Sequence, residues 1–160
     1  MRPFNRWVYL SVGSNVGNRK TNLKKAVSYL KRRLIVVTSS KIYESEPWGY
    51  KKQKNFCNLA LRVKSNLKPY ELLRFAKQIE RKLGRNKKFK WGPRTVDIDI
   101  IAYQNIILRT KNLWLPHRWA AERLFVVVPL LDVGAELKLN GLSLEELKSK
   151  LEGIQSLKTC

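Results

Sequence analysis

The sequence predicts a mixed α/β domain of the α+β kind: an antiparallel sheet with helices packed on it. Two observations carry this. Four β-rich runs alternate with two stretches of helical periodicity in the order β-α-β-β-α-β, and smaller elements follow. That order is the split βαβ arrangement called ferredoxin-like. A length of 160 residues with 44% hydrophobic content also fits one domain, 1–160, with its own core.

The first strand is expected at 7–12, where Trp7, Val8, Tyr9, Leu10 and Val12 cluster. Gly13 and Gly17 then make a turn, which lacks the spacing of a phosphate-binding glycine loop. Leu23, Ala26, Val27, Leu30 and Leu34 recur at helical spacing and predict a helix over 21–34. The β-branched run 35–43 predicts a second strand, and the polar stretch 44–54 a long loop. A third strand is expected at 56–63, with Phe56, Asn58, Ala60 and Arg62 on one face and Cys57, Leu59, Leu61 and Val63 on the other. Asn58 either reads a ligand or faces water. Pro69 suits a first helical turn, although Lys68 is a poor cap; Leu72, Leu73, Ala76, Ile79, Glu80 and Leu83 mark the helix face, and Gly84 is a natural stop. Beyond the fourth strand, short strands are expected at 106–108 and 136–139. A helix is expected over 119–128, ended by Pro129, with Arg123 and Phe125 pointing roughly opposite ways. Ser143 and Glu146 form a capping box that opens a last helix.

Lys and Arg number 33 against 12 Asp and Glu, a net charge of +21. Nucleic-acid binding by phosphate neutralisation is the immediate inference. The charge is spread along the whole chain, however, and no helix-turn-helix, zinc-finger or RNA-binding aromatic motif accompanies it. A nucleic-acid-binding module therefore stands as the second reading, and the same field would steer small anions such as nucleotides. No apolar run approaches a membrane span, and the first residues lack the apolar core of a signal peptide, so a soluble cytoplasmic protein is expected. Cys57 and Cys160 make neither a disulfide framework nor a metal-ligand spacing; Cys57 is expected in the core and Cys160 has no evident role.

The chemistry concentrates at residues 91–101. A turn held by Gly92 and Pro93 carries Arg94 into a strand bearing Asp97 and Asp99. Side chains two apart on a strand point the same way, so the two carboxylates share a face while Val96, Ile98 and Ile100 fill the other. Adjacent carboxylates repel unless a cation lies between them. Magnesium suits such oxygen ligands and keeps phosphate oxygens in its shell, and Arg94 offers a planar fork of donors for those phosphates. The bland alternative is a solvated strand face. The scarcity of acids in this chain, and an Arg fixed beside them, favour a metal–phosphate site. The basic stretch 85–90 is either a solvated turn or a lid whose cations close over phosphates. His117, the only histidine, follows a proline and is either structural or a phosphate contact.

Four stretches together carry a resemblance: Val12, Gly13, Ser14 and Asn15; the run from Tyr43 to Gly49 with Phe56, Cys57 and Asn58; Gly84 and Arg85 with Trp91, Gly92, Pro93, Arg94, Thr95, Val96, Asp97, Ile98, Asp99 and Ile100; and Leu115, Pro116 and His117 with Arg123 and Phe125. The chain resembles the 6-hydroxymethyl-7,8-dihydropterin pyrophosphokinases of the folate pathway over nearly its whole length. The resemblance implies transfer of the β,γ-diphosphate of ATP to the pterin hydroxymethyl group with release of AMP. It implies that Asp97 and Asp99 bind two magnesium ions and that Arg85 and Arg94 act on the phosphates. Trp91, His117 and Arg123 would lie on the ATP side, with Glu80 and Ile100 near the adenine or ribose. The pterin would stack between Phe56 and Phe125, with Trp48 near a lid and Asn58 and Ser45 at its polar edge. A monomer is also implied. The chain departs from the family pattern where Phe56 stands for a Tyr, where Lys87 and Lys88 occupy the place of a second lid arginine, and where Trp114 replaces a small hydroxyl residue.

Overall fold

In the computed structural model, which describes residues 5–84 and 90–160, the chain runs β1 (Arg6–Ser14), α1 (Arg19–Leu30), β2 (Ile35–Ser39), β3 (Tyr43–Ser45), β4 (Phe56–Ser65), α2 (Pro69–Lys82) and β5 (Asp97–Tyr103). β1 is central and is buried throughout from Leu10 onward, with β4 on one side and β5 on the other, both antiparallel. This is the ferredoxin-like order the sequence predicts.

The expected strand over 35–43 is two strands, both paired with β4. The cause is Ser40. Its Oγ accepts the Ala60 N–H at 2.8 Å, and its own N–H donates to the Ala60 carbonyl. A hydroxyl that replaces a ladder carbonyl interrupts the strand. The helix expected over 21–34 begins earlier, where the Asn18 Oδ1 accepts the Thr21 N–H, and it ends at Leu30. At α2 the deficiency of Lys68 as a cap is offset by Glu71, whose carboxylate accepts the Lys68 N–H at 2.7 Å.

Downstream come β6 (Leu108–Arg109) paired with β7 (Trp114–Leu115), a 3₁₀ turn at Ala120–Glu122, and α3 (Leu124–Asp132). After α3 lie β8 (Lys138–Leu139) paired with β9 (Leu142–Ser143), α4 (Leu144–Glu152) and β10 (Leu157–Thr159). The strand expected at 106–108 thus begins at Leu108, and the one at 136–139 begins at Lys138. The helix expected over 119–128 is displaced: Arg123 is extended, and α3 starts after it with Pro129 inside. The Leu124 N–H, free of the preceding turn, donates to Gln155 Oε1 at 3.0 Å. β10, absent from the sequence reading, pairs with β3 and completes the order β10-β3-β4-β1-β5.

Helices cover both faces of the sheet. Val8, Leu10 and Val12 of β1, with Leu59, Leu61 and Ile98, pack under α1 and α2. Ala60 and Ile101 face the other way, against Val126, Val127 and Leu130 of α3 and Leu144, Leu147 and Leu151 of α4. Burying each of these valine, leucine and isoleucine side chains contributes about 1.5–3 kcal/mol. Among the described residues, no helix is long and apolar enough to cross a membrane.

Candidate active site

Strand register lays out the floor of a cleft. Asp97 pairs with Gly13 of β1, and Gly13 pairs with Asn58 of β4, so the three lie in one row across the sheet. One row further, Asp99 pairs with Ser11 and Ser11 with Ala60. Alternation points Asp97, Asp99, Asn58 and Phe56 to the α3 side, while Ile98 and Ile100 enter the opposite core. The missing side chain of Gly13 opens the row: a Cβ there would stand 2.8 Å from Asn58 Oδ1. Asn58 is buried, and its Nδ2 donates to Ser45 Oγ at 2.8 Å, which fixes the amide plane.

Asn15 assembles the near wall. Its Nδ2 donates to Gln53 Oε1 and to the Lys54 carbonyl, and its Oδ1 accepts the Arg94 N–H at 2.8 Å. Gln53 in turn donates to the Trp91 carbonyl at 2.6 Å. The polar loop after β3 and the turn before β5 are therefore tied to the end of β1. Arg94 Nη1 donates to Asp97 Oδ1 at 2.7 Å. Burial opposes the Arg94 charge, but Asp97, with Asp99 and Glu80, holds the guanidinium above its ordinary value.

The far wall comes from residues 117–125. The His117 N–H donates to the Ile101 carbonyl at 2.7 Å and pins this segment to β5. His117 Nδ1 accepts the Trp119 N–H, which leaves Nε2 to carry the proton of the neutral ring. Burial, with Arg123 nearby, lowers the His117 pKa, although Asp99 works the other way. Asp99 Oδ2 lies 3.8 Å from Arg123 Nη1 and 3.9 Å from His117 Nε2, both beyond direct hydrogen-bond reach. Burial and the charge of Asp97 raise the Asp99 pKa, only partly offset by His117 and Arg123. Arg123 is 6% exposed, and burial lowers its pKa. Its guanidinium stacks 4.5 Å from the Trp48 ring centroid and 5.3 Å from that of Trp91. Its Nε is buried without a hydrogen-bond partner among the described residues. A buried guanidinium short of acceptors, facing a carboxylate that retains open lone pairs, is suited to an anion bridged by a hard cation.

An open cleft gathers most of the predicted residues. Asp97, Asp99, Arg94, His117 and Arg123 line one part of it; Trp48, Phe56, Asn58, Trp91 and Phe125 line the rest. Ser45 stands behind Asn58. Arg123 and Phe125, expected to diverge, face the same cleft because Arg123 lies outside the helix; its guanidinium is 5.7 Å from the Phe125 ring. Ile100 lines an adjoining cleft that shares Asp99 and His117 and adds Lys77, Arg109 and Arg118. Glu80 lines neither cleft. It is buried, and its Oε1 accepts the Ile98 N–H at 2.8 Å, between the two aspartates. Arg85, Lys87 and Lys88 lie outside the described residues, so the lid expectation does too. Sequence reasoning missed Ser11 and Trp119 as lining residues. Strand alternation from Gly13 could have found Ser11; Trp119 carries no such signal.

A ferredoxin-like sheet whose edge strand turns two carboxylates toward the half-buried Arg94 and the buried Arg123, in a cleft walled by aromatic rings, defines an α+β domain whose ionisable and aromatic side chains converge on one site. Residues 9–135 match the family model described as 7,8-dihydro-6-hydroxymethylpterin-pyrophosphokinase. The chain belongs to that family. A 2-amino-4-hydroxy-6-hydroxymethyldihydropteridine pyrophosphokinase of Aquifex aeolicus is 45% identical over 126 residues, covering 79% of this chain and 79% of the relative. A protein of the same name from Bacillus subtilis is 40% identical over 143 residues, covering 88% and 86%. The fold also matches a crystal structure of wild-type HPPK-DHPS from Plasmodium falciparum with pteroate, at a TM-score of 0.72 and 15% identity; the match covers 94% of this chain and 43% of that one.

Proposed function

We propose that this chain transfers the β,γ-diphosphate of ATP to the hydroxymethyl group of 6-hydroxymethyl-7,8-dihydropterin and releases AMP, a step of folate biosynthesis. One observation carries the reading beyond family membership: a single cleft brings Asp97, Asp99, Arg94 and Arg123 against Asn58, Phe56 and Phe125. The first four suit a polyphosphate with its cations, and the last three a flat heterocycle with a polar edge.

In this reading the hydroxymethyl oxygen attacks the β-phosphorus, the bond from that phosphorus to the α-phosphate bridging oxygen breaks, and AMP leaves. The hydroxyl proton passes to solvent. Asp97 and Asp99 would hold two magnesium ions. Bound there, the metal neutralises phosphate charge and orients the attacking oxygen. Arg94, positioned by Asn15 and Asp97, holds phosphate oxygens on the near side, and Arg123 holds them on the far side. Neutral His117 offers its Nε2–H toward the same oxygens. Asn58, held by Ser45, reads the amide edge of the pterin while Phe56 and Phe125 stack on its faces and Trp48 excludes water. Ile100 and the adjoining cleft take the nucleoside, with Trp119 at the junction of the two clefts, while Trp91 stays in the first cleft against the Arg123 guanidinium on the phosphate side. Glu80 contributes by fixing the β5 backbone between the aspartates. The reading carries with it a monomer acting in the cytoplasm.

The test is AMP formation from ATP and magnesium, with and without the pterin. Pterin-dependent AMP is the expected result. ADP formation would mean an ordinary kinase, and folded protein without nucleotide turnover would overturn the reading.

A further inference from the structure

On the face of the sheet away from the cleft, two thiols meet. Cys57 follows Phe56 and precedes Asn58 on β4, and its buried side chain belongs to the core under α1. Cys160 directly follows β10, and its N–H donates to the Ile42 carbonyl at 2.8 Å. The two Sγ atoms are 2.7 Å apart although 103 positions separate the residues. That is about 0.7 Å beyond the ~2.05 Å of a sulfur–sulfur bond. Cys57 is buried and Cys160 exposed, so one thiol is open to a reagent and the other is shielded behind it.

We propose that Cys57 and Cys160 form a reversible disulfide that latches β10 onto the sheet behind the residues placed at the pterin edge. The Cys160 thiolate attacks one sulfur of a low-molecular-weight disulfide such as oxidised glutathione, and one glutathione thiolate leaves. Cys57 then gives up its proton to solvent and displaces the second glutathione from Cys160. Two protein thiols are oxidised to one disulfide, and one glutathione disulfide is reduced to two thiols. The order of attack follows from the environment: burial, with Cys160 alongside, pushes the Cys57 thiol up to about 12, so the exposed Cys160 reacts first.

A metal site is the competing use of these thiols, since a Glu44 carboxylate oxygen and both sulfurs lie within 4.8 Å of one another. Its carboxylate is already engaged, however, by Arg19 at 2.9 Å and Lys158 at 3.3 Å. Two thiols with an occupied carboxylate fall short of the four ligands a structural zinc site takes. The latch would also close a loop that contains α2, β5, α3 and α4, and hence Asp97, Asp99 and Arg123. A crosslink over so long a loop removes much freedom from the unfolded chain.

The experiment incubates the full chain with oxidised glutathione and reads free thiols, peptide masses and Tm. The expected result is a peptide linked through Cys57 and Cys160 in monomeric protein and a Tm several degrees above that of the reduced form. Cys160→Ser, which leaves the core untouched, should abolish both changes, and dithiothreitol should reverse them in the natural chain. A lasting glutathione adduct on Cys160 beside a free Cys57, disulfide-linked dimers, or a zinc ion held by both thiols would each overturn the latch. None of these readouts depends on turnover.

Discussion

Asp99 is the most burdened side chain of the cleft. Burial and Asp97 hold its pKa above the usual carboxylate range, and its nearest cations stop short of contact. Asp99→Asn removes the repulsion and the ligand together. We expect a higher Tm for the metal-free variant and a loss of at least ~100-fold in kcat, read by differential scanning calorimetry and AMP release. A raised folded pKa costs nothing while the group is protonated in both states, near pH ~4 and below. The cost grows as pH rises from the unfolded value toward the folded pKa, and it is constant above the folded pKa, where the group is ionised in both states. Magnesium should therefore raise Tm most near neutral pH and little near pH ~4, and a magnesium effect independent of pH would contradict this account. At this scale much is legible in sequence. Asp97 and Asp99 follow from strand alternation, a local rule. Arg123 is legible only as a motif residue; its sharing of a cleft with Phe125 depends on α3 starting at Leu124 and not at Trp119, which leaves Arg123 in extended chain.

At the scale of elements, the site is a product of register. β1 is the reference strand, and its Gly13 separates Asn58 from Asp97 by leaving a trough. Gly13→Ala puts a methyl 2.8 Å from Asn58 Oδ1 and 3.6 Å from the Phe56 ring. Ser45 holds the Asn58 Nδ2, so the amide can make room only by turning against that bond. We expect the KM for pterin to rise about 10-fold, equivalent to ~1.4 kcal/mol, with a smaller change in KM for ATP and a preserved circular dichroism spectrum. Equal losses for both substrates would place the damage in the strand instead. The six-element core is legible because each piece has its own periodicity. The break at Ser40 is not, because a serine that completes a ladder with its hydroxyl reads as an ordinary strand residue. Pro129 misleads for a related reason: it ends a helix by local rule, yet α3 keeps it where packing against the sheet and α4 compensates.

Over the whole molecule, 33 basic residues against 12 acidic ones set a field of one sign, and anionic ATP is drawn by it. We expect kcat/KM for ATP to fall several-fold between low and physiological ionic strength, and kcat to change much less. A flat salt profile would mean that the surplus charge lies outside the approach path. The second helical layer is not legible in the sequence as a layer: α3 and α4 are short, follow irregular chain, and find their partner face only in three dimensions. β10 is invisible for the same reason, since three residues carry no period. The rings around Arg123 have a consequence of another kind. Three of the five tryptophans, Trp48, Trp91 and Trp119, stand with centroids 4.9 to 6.5 Å apart. Indoles that close couple their electronic transitions, and a guanidinium stacked on two of them shifts their emission. The cleft is thus its own chromophore, and near-ultraviolet light reads the state of the ligand site without any label.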